Sequence, residues 1–157
     1  MTTEIETLRR LMENDRFARE SGIRLLEVRE GYARASMDVL PRHYNGVGTA
    51  QGGAIFTLAD LVFAAAVNSH GTVAVAINAS ISFIKAVTGG TIFAEGHEVA
   101  QSPKLASCTV HVTDEQGALV AVFQGMAYRK KESIADVLNS GQKDGSQKSG
   151  VRIQKQE

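Results

Sequence analysis

The sequence has no excess of either charge: 17 Lys and Arg stand against 17 Asp and Glu. That balance removes the electrostatic basis for nucleic-acid binding or for a basic membrane-surface protein. Cysteine is nearly absent. The single Cys108 excludes an intrachain disulfide framework and any multi-cysteine zinc site, so a reducing compartment, the cytoplasm, is the expected location. No apolar run reaches the roughly 18 residues of a membrane span, because Asp60 interrupts the best one. The opening residues, MTTEIETLRRLMENDRF, carry acids and lack the apolar core of a signal peptide. His43, His70, His97 and His111 are scattered, with no pair at zinc-ligand spacing, and no metal is expected. What is present, 157 residues of which 43% are hydrophobic, suits one domain around one core.

Residues 4–20 read as an amphipathic helix on Ile5, Leu8, Leu11, Met12 and Phe17, ended by Ser21-Gly22. IRLLEV and YARASMDV flank Arg29-Glu30-Gly31 as a hairpin. A glycine-rich stretch, RHYNGVGTAQGG, runs into AIFTLADLVFAAAVNSHG. The latter is too long and too rich in Ala and Leu for a strand, and predicts a helix from about Gly53 to Ser69. Its apolar residues go nearly all the way round, which predicts burial. Four strand-like runs follow; in the first, Val73, Val75, Ile77, Ala79, Ile81 and Phe83 alternate and predict one face. From Glu132 the chain turns polar, predicting a helical turn at most and then a flexible tail. The order predicts an α+β fold in which an antiparallel sheet curls around one long central helix, with sheet edges that self-association would cover.

One residue is out of place. Between Tyr44 and Ile84, Asp60 is the only Asp, Glu, Lys or Arg, and it falls in mid-helix between Leu58-Ala59 and Leu61-Val62. An unpaired buried carboxylate is costly. Either Asp60 lies on an exposed strip or meets a partner chain, or it is held in an apolar pocket as a base or nucleophile. Gly52 and Gly53 open the same helix, where amides lack intrahelical acceptors and lie at the positive dipole end. Such amides can hold an anion or stabilise an oxyanion.

The run N-G-x-G-x-x-Q-G-G-A-x-F-T-L-A-D, Asn45 to Asp60, resembles the PaaI-like branch of the hotdog-fold acyl-CoA thioesterases. The likeness extends from Ser21-Gly22-Ile23 to Tyr128-Arg129 and takes in GYARASM, NASISF and VAVFQGMAYR. It implies a hotdog fold and hydrolysis of an aryl or short-to-medium acyl-CoA, with coenzyme A as part of the substrate and no separate cofactor. It further implies Asp60 as catalytic carboxylate, the Gly52 N–H as oxyanion donor and Asn45 as orienting residue. Gln51, Gly53, Phe63, Phe83 and Lys85 would contact substrate, and Lys104 and Arg129 are further candidates for the phosphates. The chain departs from the family in carrying Gln51 where His is usual; Gln cannot exchange a proton near neutral pH. The alternatives are an acyl-thioester dehydratase or hydratase of the same fold, or a non-catalytic acyl-CoA-binding protein.

The expected division is an N-terminal helix over 1–20, a hotdog thioesterase domain over 21–131 and a polar tail over 132–157. The expected assembly is a homodimer at minimum, built up to a homotetramer. Eight helical residues separate Gly52 from Asp60, a rise of about 12 Å. One helix therefore cannot bring both groups to one carbonyl, and a site shared between two chains is expected.

Overall fold

The computed structural model describes residues 3–144. Thr3 and Glu6 close a capping box, each side chain bonding the other's backbone N–H, and start helix α1 (Glu4–Glu13). The helix expected over 4–20 is two helices. Asp15 adopts an extended backbone, and its carboxylate accepts the Ala18 N–H at 2.9 Å to cap α2 (Arg16–Glu20). A short acidic side chain that bonds the backbone three residues on starts a helix anew and does not continue one.

Strands β1 (Ile23–Arg29) and β2 (Tyr32–Asp38) make the hairpin around Glu30-Gly31. A 3₁₀ turn (Pro41–His43) and a loop lead into α3 (Gly52–Val67). Then come β3 (Thr72–Phe83), β4 (Thr91–Gln101), β5 (Leu105–Thr113) and β6 (Leu119–Ser133). The strand order is β1-β2-β4-β5-β6-β3, with every neighbouring pair antiparallel and β3 at one edge. This is the α+β arrangement the residue pattern predicts: one antiparallel sheet packed on one long helix.

The core is the interface between α3 and the sheet. Leu58, Val62, Phe63 and Ala66 of the helix are fully buried, as are Ile92, Val110 and Phe123 of the strands. Each large side chain so buried contributes roughly 1.5–3 kcal/mol. Gly96 and Gly125 let the helix approach: a Cβ at either would lie 2.7 Å from Val62 or Phe63 respectively.

Two expectations fail locally. The β3 alternation does not run through, because the pairing with β6 shifts between Ala76 and Asn78. This bulge at Ile77 changes the face presented, so Ala79, Ile81 and Phe83 pair with the helix-facing Gly125, Phe123 and Ala121, whereas Val75 pairs with exposed Tyr128. The second concerns the C-terminal segment. Strand β6 runs past 131 to Ser133, and a helix of 11 residues, α4 (Ile134–Asp144), follows where a turn was expected. Ile134 is fully buried and Leu138, four residues on, packs against the core, which anchors α4 beside α1. The rest of the expected tail, residues 145–157, lies outside the described residues.

Candidate active site

The N-terminus of α3 is built by Gln51. Its backbone is extended, its N–H donates to the His43 carbonyl at 2.7 Å, and its carbonyl accepts the Ala54 N–H at 2.9 Å. Its side-chain Oε1 accepts the Gly53 N–H. Gln51 is thus the N-cap, and the Gly53 amide is spent on it. The Gly52 N–H finds no acceptor among the described residues. It is the free donor at the positive end of a 16-residue helix.

The approach to this helix is held rigidly. Asn45 folds the turn before it: Oδ1 accepts the N–H groups of Val47 and Thr49 at 3.0 and 3.1 Å, and Nδ2 donates to Thr49 Oγ1 at 2.9 Å. The hydroxyl of Tyr44 donates to the Thr88 carbonyl at 2.6 Å, and the Ala50 N–H donates to Val87. His43 is buried, accepting the Leu40 N–H on Nδ1, which leaves Nε2–H to donate to the Ser21 carbonyl at 2.8 Å. Phe83, half exposed at the end of β3, points the tip of its ring at Gly52. Lys85, just beyond, pairs with Asp114, whose carboxyl is held below its ordinary range chiefly by that hydrogen bond.

Asp60 lies two turns into α3 on its less buried strip, with Thr57 and Ala64 near it and buried Ala59 and Leu61 beside it. Among the described residues nothing donates a hydrogen bond to its carboxylate. Burial raises its pKa, and the nearby charge of Asp15 raises it further. An ionisable group left without a partner and desolvated is poised to take a proton.

The structure therefore gathers Gln51, Gly52, Gly53 and Phe83 at the helix start, with Asn45 in the loop before it. Asp60 stands apart along the helix. Phe63 is sealed in the core, its ring centroid 5.6 Å from that of Phe123. Arg129 is removed from the phosphate candidates: only 8% exposed, it donates to Glu98 Oε1 at 2.5 Å and to the Val67 carbonyl at 3.3 Å. Glu98, 6% exposed, also meets His70 Nε2 at 2.5 Å. This buried cluster ties β4, β6 and the end of α3 together, and no local sequence signal announces it. Burial pushes the Cys108 thiol up to about 12, leaving an inert core thiol.

An unpaired carboxylate and an unpaired helix-start amide on the one long helix of an antiparallel sheet are the equipment of a hydrolase acting on an activated acyl group. Comparison with known proteins gives the same class. Residues 47–121 match the Thioesterase superfamily. A candidate esterase from Archaeoglobus fulgidus is 40% identical over 125 residues, 79% of this chain and 81% of that protein. The acyl-coenzyme A thioesterase PaaI of Escherichia coli is 33% identical over 120 residues, 76% of this chain and 86% of that protein. The solved structure of Escherichia coli PaaI, from the phenylacetic acid degradation operon, superposes with a TM-score of 0.80 at 30% identity. That superposition covers 84% of this chain and 97% of PaaI. The chain belongs to the thioesterase superfamily, as a PaaI-like hotdog thioesterase. Among the described residues, no helix is long and apolar enough to cross a membrane.

Proposed function

We propose that this thioester hydrolase cleaves acyl-CoA to free acid and coenzyme A, with Asp60 as base or nucleophile and the Gly52 amide as oxyanion donor. The observation that carries the reading is the pairing of two unsatisfied groups on α3: the Gly52 N–H at its start and the half-buried Asp60 carboxylate in its middle. A thioester carbonyl is electrophilic and its thiolate leaves readily. Hydrolysis then needs little more than one donor, worth roughly 3–4 kcal/mol, and a positioned base, worth roughly 10²–10⁴-fold. The name of the Escherichia coli relative supports coenzyme A as the thiol.

The site is shared between two chains. Two groups about 12 Å apart on one helix do not meet one carbonyl, but the start of one helix can meet the middle of another across a two-fold axis. The exposed edge strand β3, with Val75, Ile77 and Phe83 open to solvent and Ile84 exposed just past its end, supports a homodimer as the smallest active unit. A tetramer would be two such dimers, and the cytoplasm its place. Phosphate contacts fall to Lys104 and to Lys85, the latter only by release from Asp114.

The test is release of free thiol from a panel of acyl-CoA probes, acetyl, hexanoyl and benzoyl, by the native chain and by Asp60→Asn. Turnover that falls about 10²–10⁴-fold in a folded Asp60→Asn chain supports the assignment. Unchanged turnover overturns it. Absence of thiol release from every probe, with binding retained, favours a non-catalytic acyl-CoA-binding protein instead.

A further inference from the structure

We propose that the outer face of the sheet around Tyr128 holds the adenine nucleotide of coenzyme A, with the Tyr128 ring against the base and Lys104, Lys130 and Lys131 around the phosphates. The inference rests on the reading of coenzyme A as the thiol and of β3 as the edge that meets a second chain.

Tyr128 points away from α3. Its neighbours in β6 face the helix: Ala127 is fully buried, and Arg129 reaches the Val67 carbonyl. Alternation along a strand puts the residue between them on the opposite face. There Tyr128 stands in register with Leu105 of β5 on one side and Val75 of β3 on the other, and all three are exposed. Among the described residues, the ring has no aromatic or guanidinium partner.

Cations collect at the same place. The Lys104 carbonyl accepts the Arg129 N–H at 2.8 Å, which seats the turn between β4 and β5 beside Tyr128. Between Arg129 and Ser133, β6 has three residues where β3 has only Val73, so Lys130, Lys131 and Glu132 bulge from the ladder. The three lysines are exposed, and among the described residues none is in an ion pair. Glu132 is the only acid in Gln101–Leu105 and Tyr128–Ser133. An exposed π-face beside several unpaired ammonium groups suits a stacked base and its phosphates. The zero net charge of the whole chain speaks for one small nucleotide and against a polyanion.

Within one chain, Val75 and Phe83 are eight residues apart on β3, about 26 Å. The patch and the Gly52 amide, which Phe83 touches, therefore lie at opposite ends of the strand. Two β3 edges joined antiparallel bring the end of one beside the start of the other. The patch of one chain then lies at the end of the joined sheet that carries the partner's Phe83 and Gly52. The other edge is guarded against such pairing. Strand β1 carries Arg24, Glu27 and Arg29, bulges at Leu26 and has Arg9 bonded to the Leu26 carbonyl, whereas no residue of β3 is charged.

Hexanoyl-CoA and hexanoyl-pantetheine carry the same thioester, and only the first has the nucleotide. Tyr128→Ala is expected to lower the ratio of kcat/KM for the two esters about 10-fold, through KM, the order of one base–aromatic stack. Tyr128→Phe keeps the ring and should keep the ratio. Lys104→Ala and Lys130→Ala should lower the ratio and flatten its dependence on salt. Equal losses on both esters in Tyr128→Ala would give the ring a structural role, and an unchanged ratio would leave no site there; either overturns the proposal. If the native chain releases thiol from neither ester, the hydrolytic reading fails instead. Calorimetric titration with free coenzyme A then decides: about 10-fold weaker binding to Tyr128→Ala supports the patch. Equal binding, or none to the native chain, overturns it.

Discussion

A Cβ atom placed on Gly52 would lie 2.9 Å from Cζ of Phe83, closer than side-chain carbons approach one another. The end of β3 is therefore in contact with the start of α3 at Gly52, whose N–H finds no acceptor among the described residues. Gly52→Ala keeps the N–H but must displace the ring. It is expected to lower kcat/KM by up to about 10²-fold, the cost of misplacing reacting groups by about 1 Å. Phe83→Ala in the same chain removes the obstruction and should recover part of that loss. Steady-state kinetics of the two single variants and the double variant read the effect, and equal losses in Gly52→Ala with and without Phe83 would rule out steric contact as its cause.

Asp60 also makes a prediction about stability. Its pKa is raised on folding, so the folded chain binds more protons than the unfolded chain between the ordinary carboxylate pKa and the raised one. Stability contributed by this group therefore falls as pH rises through that window, and the cost is fully present above it. Asp60→Asn removes the cost. The variant should melt higher than the native chain at neutral pH, with the difference shrinking as the medium is acidified. A gain that is the same at all pH values would mean that some other property of the amide is responsible.

Glu98 is expected to matter to stability far more than its place near a strand end suggests. Its carboxylate, 6% exposed, accepts from Arg129 and meets His70, and Arg129 is itself 8% exposed. Glu98→Ala leaves the Arg129 guanidinium buried with its principal partner gone, which costs about 3–5 kcal/mol. Asp38→Ala breaks the exposed pair with Arg24 and a hydrogen bond from the Thr91 hydroxyl, and should cost far less. Urea midpoints of the two variants measure the contrast, and similar shifts would show that the Glu98 cluster is as solvated as the surface pair.

These residues differ in how far the sequence alone exposes them. Asp60 is legible because it is the only Asp, Glu, Lys or Arg among 41 residues, from Tyr44 to Ile84, and the two glycines of α3 are legible because they directly precede a helical run. The cap on Gly53 was not, since only the side-chain direction of Gln51 decides which of two adjacent amides is spent. Glu98, Arg129 and His70 meet across β4, β6 and the end of α3, 28 and 31 residues apart, with no local pattern to join them. Phe63 sits on a helix that is apolar all round, so sequence could not say which side faces core. The bulge at Ile77 replaced a clean alternation by pairing with β6, and α4 hid its Ile134 and Leu138 among polar neighbours.

The shared site gives the sharpest test. Asp60→Asn chains lack the carboxylate and Gly52→Pro chains lack the amide donor, so each alone should be inactive. Proline is tolerated by the helix backbone at its first position, but here its ring also presses on Phe83. Gly52→Ala is therefore the companion that carries the steric change with the amide intact. When the two inactive chains are dissociated and reassembled together, a heterodimer contains one site with both defects and one with neither. With random pairing, half the dimers are mixed and each has one working site of two, so activity should return to roughly a quarter of the native value. Heterodimers verified by differential tagging that remain inactive would place Gly52 and Asp60 of one chain in one site. The 12 Å helix rise would then have to be bridged by the substrate and not by a second chain.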